Sequence, residues 1–186
     1  MIAKLITAPV ISGLFLDDIK EHLRIGKLES DHDDRIEPYL LSAIDEAQDM
    51  TGRALITQTW AVIFDSWAEM VSCILPFGQL QSVVSIKYND EDGAEQTVSA
   101  DDYLVYGVGT DDGKILIPSD SDFDCPSLYE KDPITVTFIC GYGTTAASIH
   151  PPILSAIKLM VEEMETGADV RQAVGRLLNL NRLWSI

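Results

Sequence analysis

Residues 43–64 read AIDEAQDMTGRALITQTWAVIF, and within them the apolar spacing changes from helical to strand-like with no linker between. Ile36, Leu40, Ala43, Ile44, Ala47 and Met50 recur at steps of three and four, which sets them on one stripe of a helix. The stripe stops at Gly52. A glycine just past the last periodic residue ends a helix because it takes left-handed backbone without a Cβ clash. From Ile56 to Phe64 the chain is rich in Ile, Thr, Val, Trp and Phe, types that fit a pleated surface, and the spacing predicts a strand over 56–64.

Toward the N-terminus, Leu16, Ile19 and Leu23 predict a short amphipathic helix with Asp17, Asp18, Lys20 and Glu21 on its polar side. Ser12 is placed near its start and Gly26 at its end. Before it, Leu5 to Leu16 is apolar, but Pro9 and Gly13 interrupt it and no small-x-small cleavage site precedes Asp17. It reads as an arm or an edge strand. Asp31, Asp33 and Asp34 stand ahead of the periodic helix, where acids meet the positive end of the macrodipole. Pro38 is tolerated in a first turn, so the helix is expected to start at Asp34 or Arg35.

Downstream the pattern is strands and turns up to Gly143. Val83 to Tyr88 alternates with period two, and the turn Asn89-Asp90-Glu91-Asp92-Gly93 joins it to Gln96-Thr97-Val98 as a hairpin. Residues 103–106 and 114–117 flank a Gly/Asp turn and form a second pair, Ile134 to Ile139 is a further strand, and 118–133 has the composition of a surface loop. Helical spacing returns after Pro151-Pro152 with Ile153, Ile157, Met160, Val161 and Met164, ends at Gly167, and resumes from about Val170 to Trp184. The fold class is therefore α+β: two N-terminal and two C-terminal helices form a helical core with an inserted antiparallel β region. A single domain over 1–186 is expected, made of an N-terminal arm and helices (1–55), the β insertion (56–145) and the C-terminal helices (150–186).

Thirty acidic side chains against thirteen basic ones leave 30 − 13 = 17 net negative charges, and nucleic acid is repelled by most of such a surface. Acids concentrate in 29–49 and 90–132, whereas Arg171, Arg176 and Arg182 make the tail locally basic. No apolar run approaches about eighteen residues, which argues against a transmembrane helix. Cys73, Cys125 and Cys140 are odd in number and lack metal-like spacing, as suits reduced structural thiols in a cytoplasmic protein.

No catalytic or metal motif is complete in residue type and spacing. Asp120, Asp122 and Asp124 alternate like a calcium loop, but Cys125 and Lys131 stand where that loop needs glycine and a carboxylate. His22, His32 and His150 are scattered, there is no Gly-x-Ser-x-Gly elbow, and Gly107-Val108-Gly109 precedes no phosphate-binding helix. No cofactor, metal or catalytic residue is expected. Trp60 and Trp67 read as core or interface anchors, and Trp184 as a contact residue.

The run Thr51-Gly52-Arg53-Ala54-Leu55-Ile56-Thr57-Gln58-Thr59-Trp60 resembles the middle of the head-tail connector (adaptor) family of tailed bacteriophages. Leu16 to Arg24, Leu75-Pro76 with Leu80 to Val83, Tyr88 to Gly93, Ile139 to Gly143 and Pro151-Pro152-Ile153 follow in that family's order. The likeness covers roughly the first 165 residues. It departs at Met164-Glu165-Thr166-Gly167, where the family has a tyrosine and an arginine.

The resemblance implies a structural protein, not an enzyme, whose copies form a ring of about twelve beneath the portal, as the portal's symmetry suggests. It implies as partners other copies of the chain, the portal protein and a tail-side connector or stopper protein, with DNA only as cargo and no membrane. Its place would be the head–tail junction of the virion, after assembly in the host cytoplasm. An acidic lumen offers no cations to hold phosphates. Asp31, Asp33, Asp34, Asp90, Glu91 and Asp92 are accordingly expected to face the channel, and Arg171, Arg176, Arg182 and Trp184 to make assembly contacts. The tail from Arg171 onward is expected to be dispensable for folding. Two rivals, an acidic decoy that imitates DNA and a metal-dependent enzyme built on the acidic loops, leave the ordered segments unexplained.

Overall fold

The computed structural model describes residues 1–10 and 13–183. Ser12 and Trp184 lie outside the described residues. In chain order the elements are β1 (Ile2–Thr7), α1 (Gly13–His22), α2 (Asp33–Thr51), β2 (Gln58–Phe64), α3 (Trp67–Ser72), β3 (Leu80–Asn89), β4 (Glu95–Thr97), β5 (Leu104–Tyr106), β6 (Lys114–Leu116), β7 (Ile134–Cys140), α4 (Pro151–Thr166) and α5 (Arg171–Asn179). The α+β class is observed. By compactness the chain divides into residues 9–57 with 142–186, the helical unit, and residues 1–8 with 58–141, the sheet unit.

The helical unit is built on the stripe that the sequence displays. Ile36, Leu40, Ala43, Ile44 and Ala47 of α2 are buried with Phe15 and Ile19 of α1, Ile153, Ile157, Met160 and Val161 of α4, and Val174 and Leu178 of α5. Gly52 (φ 69°) and Gly167 (φ 74°) close α2 and α4 in left-handed conformation, their N–H groups donating to Gln48 and Glu163 carbonyls. At α1 the end differs from expectation: Arg24, at φ 60°, takes the left-handed position, and not Gly26. Arg24 N–H reaches Glu21 O (3.2 Å) and Ile25 N–H reaches Lys20 O (2.8 Å), so the two bonds of a Schellman cap offset the strain of a non-glycine residue. Helix α2 starts one residue before the expected range. Pro38 therefore falls in its second turn, where both Pro38 and Asp34 are exposed and water can serve the carbonyl that loses its donor.

Two further expectations are corrected in this unit. Ile56 and Thr57, expected to open the strand, precede β2 as loop, and Ile56 joins Leu55 in the helical core instead of entering the sheet. The tail, expected to be separable from the fold, packs into this core. Val174 and Leu178 are fully covered, each worth about 1.5–3 kcal/mol of burial. Beyond α5 the backbone returns to the α2 terminus, with Leu183 N–H on Thr51 O (2.7 Å) and Arg53 Nε donating to Asn181 O (2.6 Å).

In the sheet unit the strand order is β1-β2-β7-β3-β4, antiparallel throughout, with β5 and β6 forming a separate hairpin. The central strand β7 buries Ile134, Val136, Phe138 and Cys140 alternately, as period two requires. Helix α3 was not read from the sequence. Ser66 caps it by accepting from Glu69 N–H (3.2 Å), while Glu69 Oε2 accepts from Asp65 N–H (2.9 Å). The 118–133 loop is anchored by Trp67, whose Nε1 donates to Pro126 O (3.0 Å) and whose ring meets Tyr88 and Phe123 edge-on at 5.2 and 5.0 Å. Trp60 stacks on Phe77 at 4.0 Å.

Candidate assembly surfaces

Helix α2 carries a second stripe opposite its core face. Asp34, Glu37, Leu41, Asp45 and Asp49 follow at steps of three and four and are all exposed. None of these four carboxylates has an ion-pair partner among the described residues. Several cations of this unit pair with other acids: Lys20, 3% exposed, with Asp33, Arg35 with Glu165 (2.5 Å), and Arg171 with both Glu46 and Glu163. The ridge is thus left as uncompensated negative charge. Beside it a groove of about 320 Å³ is lined by Pro9, Leu41, Ser42, Ile44, Asp45 and Gln48.

The six acids picked for a channel divide by their work. Asp31 and Asp34 are exposed at the head of α2, whereas Asp33 is the partner that makes a buried Lys20 tolerable. In the β3–β4 turn, Asp90 Oδ1 accepts from Asp92 N–H (3.2 Å) and Ala94 N–H (2.9 Å), and Oδ2 accepts from Gln96 Nε2 (3.0 Å). These bonds, the Gln96 amide first, hold the Asp90 carboxyl below the ordinary aspartate range. Glu91 and Asp92 are left exposed at the tip.

Among the expected contact residues, Arg171 is tied by Glu46 and Glu163 into the packing of α2, α4 and α5. Arg176 and Arg182 are exposed. Sequence reasoning missed the neighbour that gives them a surface: Leu180, 89% exposed, one helical turn beyond Arg176. The signal was available, since Leu180 breaks the stripe of Val174, Leu177 and Leu178.

A different kind of surface lies at the sheet's edge. Every residue of β1 is exposed, including Ile2, Leu5 and Ile6, and its outer side faces no strand among the described residues. The ladder shifts register between Leu5 and Thr7, and Lys4 stands mid-strand, two features that blunt an edge against unspecific pairing. Of the described residues, no three His, Cys, Asp or Glu converge to hold a metal, and no helix is long and apolar enough to cross a membrane.

Residues 14–108, just over half of the chain, match the family model described as phage gp6-like head-tail connector protein. Among solved structures, a chain in the neck of an empty gene transfer agent (GTA) particle computed with C6 symmetry matches with TM-score 0.75 and 19% identity, over 100% of this chain and 97% of that one. A chain from the virion of the native GTA particle matches at 0.75 and 20%, and one from the native neck computed with C12 symmetry at 0.74 and 18%, with the same coverage. The likeness to these three is one of fold. No curated protein matches the sequence.

Proposed function

We infer the function from one premise: the chain belongs to the phage gp6-like head-tail connector family. It is a structural protein of virion assembly and not an enzyme. Beyond that, copies of it close into a ring at the head–tail junction, around the path along which DNA leaves the head. The fold shared with chains of GTA necks computed with C6 and C12 symmetry supports a ring of sixfold or twelvefold symmetry, and of these we take twelve. A head-to-tail ring needs two unlike surfaces on each copy, and the helical unit carries both an acidic ridge and a basic helix end.

The portal above and a stopper-like protein below are the partners this role implies, and assembly would take place in the host cytoplasm. Asp31, Asp34, Glu91 and Asp92 are the carboxylates we assign to the channel, with Asp33 and Asp90 holding the backbone that presents them. Arg176, Arg182 and Trp184 are assigned to assembly contacts. Family membership is the observation that carries this reading. Mass measured by light scattering over a range of concentrations, with and without portal, tests it: a discrete species of about twelve copies is expected. A chain that stays monomeric in both conditions refutes it.

A further inference from the structure

We propose that the outer face of α5 in one copy docks on the part of the acidic ridge from Glu37 to Asp49, and on the groove beside it, of α2 in the next copy. The proposal rests on the ring reading and names the interface that closes it. On the donor side Gln172, Arg176 and Leu180 fall at steps of four along one exposed face, and Arg182 follows on the same exposed terminus. On the acceptor side Leu41, 48% exposed, stands between Glu37 and Asp45 at the mouth of the groove that Pro9 and Ile44 also line.

The two surfaces match in chemistry as well as in charge. Leu180, 89% exposed, has about 1.5–3 kcal/mol to gain from burial in a contact, and the groove, lined by Pro9, Leu41 and Ile44 as well as by Ser42, Asp45 and Gln48, has room for such a side chain. The arginine one turn earlier would then lie along Glu37, Asp45 and Asp49, acids with no ion-pair partner among the described residues of their own chain. The same attraction already operates within a subunit, where Arg171 of α5 holds Glu46 of α2. Because ridge and helix end are different surfaces, the contact is heterologous: it uses one of each per copy and leads on to a third copy.

Charge exchange between full-length copies gives the test. Arg176→Glu and Asp45→Arg are made separately, and weight-average mass is followed by sedimentation to about 1 mM chain, with circular dichroism to confirm folding. Each variant alone is expected to need about tenfold more protein to associate. Mixed in equal amounts they should associate within about threefold of the unaltered chain, because in an alternating ring every residue 176 again faces a residue 45 of opposite charge. A misfolded variant cannot be rescued by mixing. Oligomers indifferent to both substitutions, or no recovery on mixing, overturn this interface and leave the ring standing. An unaltered chain that forms no oligomer, alone or with portal, overturns both.

Discussion

Gly175 is the one glycine inside α5, and a Cβ built on it meets nothing within 4 Å. Its only effect on stability is therefore the backbone freedom it gives the unfolded chain, and Gly175→Ala is expected to stabilise the protein by about 0.5–1 kcal/mol. Urea denaturation measures this, and a loss of stability would show that the position is crowded. Asp90 gives a pH dependence. Its folded pKa is lowered by Gln96 first, then by the Ala94 and Asp92 amides, so its support of the turn is complete above the ordinary value of about 3.9 and disappears as pH falls through the lower folded value. Carbon-detected NMR should find the Asp90 midpoint below about 3.9, with the Ala94 amide shifting alongside it. An ordinary midpoint would remove the turn bonds. Burial pushes the Cys140 thiol up to about 12, whereas Cys125 is exposed. Alkylation near pH 8 should label Cys125 in the native protein and reach Cys140 only when the sheet opens, and early labelling of Cys140 would contradict its burial.

At the scale of elements, α5 decides whether the C-terminal segment is an appendage or part of the fold. Leu178 is 0% exposed in the helical core, so Leu178→Ala should cost about 2–4 kcal/mol in urea denaturation, while Leu180→Ala should cost little. Equal effects would mean that α5 does not pack as described. Most elements were legible because a long period repeats enough to be counted: the α2 stripe, the alternation of β3 and β7, the glycines at 52 and 167. Helix α3 was not, since six residues give fewer than two turns, and only the Ser66 and Glu69 pair marked it. Arg24 escaped for a related reason, because left-handed backbone at a non-glycine residue leaves no trace in composition. The candidate surfaces were half visible. An acid-rich stretch can be seen in sequence, but which acids are engaged depends on partners far along the chain, as Asp33 with Lys20 and Glu46 with Arg171 show.

For the whole molecule, the formal charge of −17 sets a condition on any ring. Copies brought side by side repel through their summed charge, an interaction that reaches across a Debye length, whereas the proposed contact of Arg176 with the α2 ridge acts at the distance of an ion pair. Raising salt from about 0.1 M to about 1 M shortens the Debye length from about 10 Å to about 3 Å, so it removes the long-range repulsion more completely than the close attraction. Exposed ion pairs are in any case worth only about 0–1 kcal/mol each, and their part here is to choose which surfaces meet more than to hold them. The apolar contact of Leu180 is untouched by screening. Association is therefore expected to strengthen with added sodium chloride over this range, and sedimentation at several salt concentrations measures it. If association weakens instead, short-range ion pairs outweigh the net charge, and the leucine is not the main source of affinity.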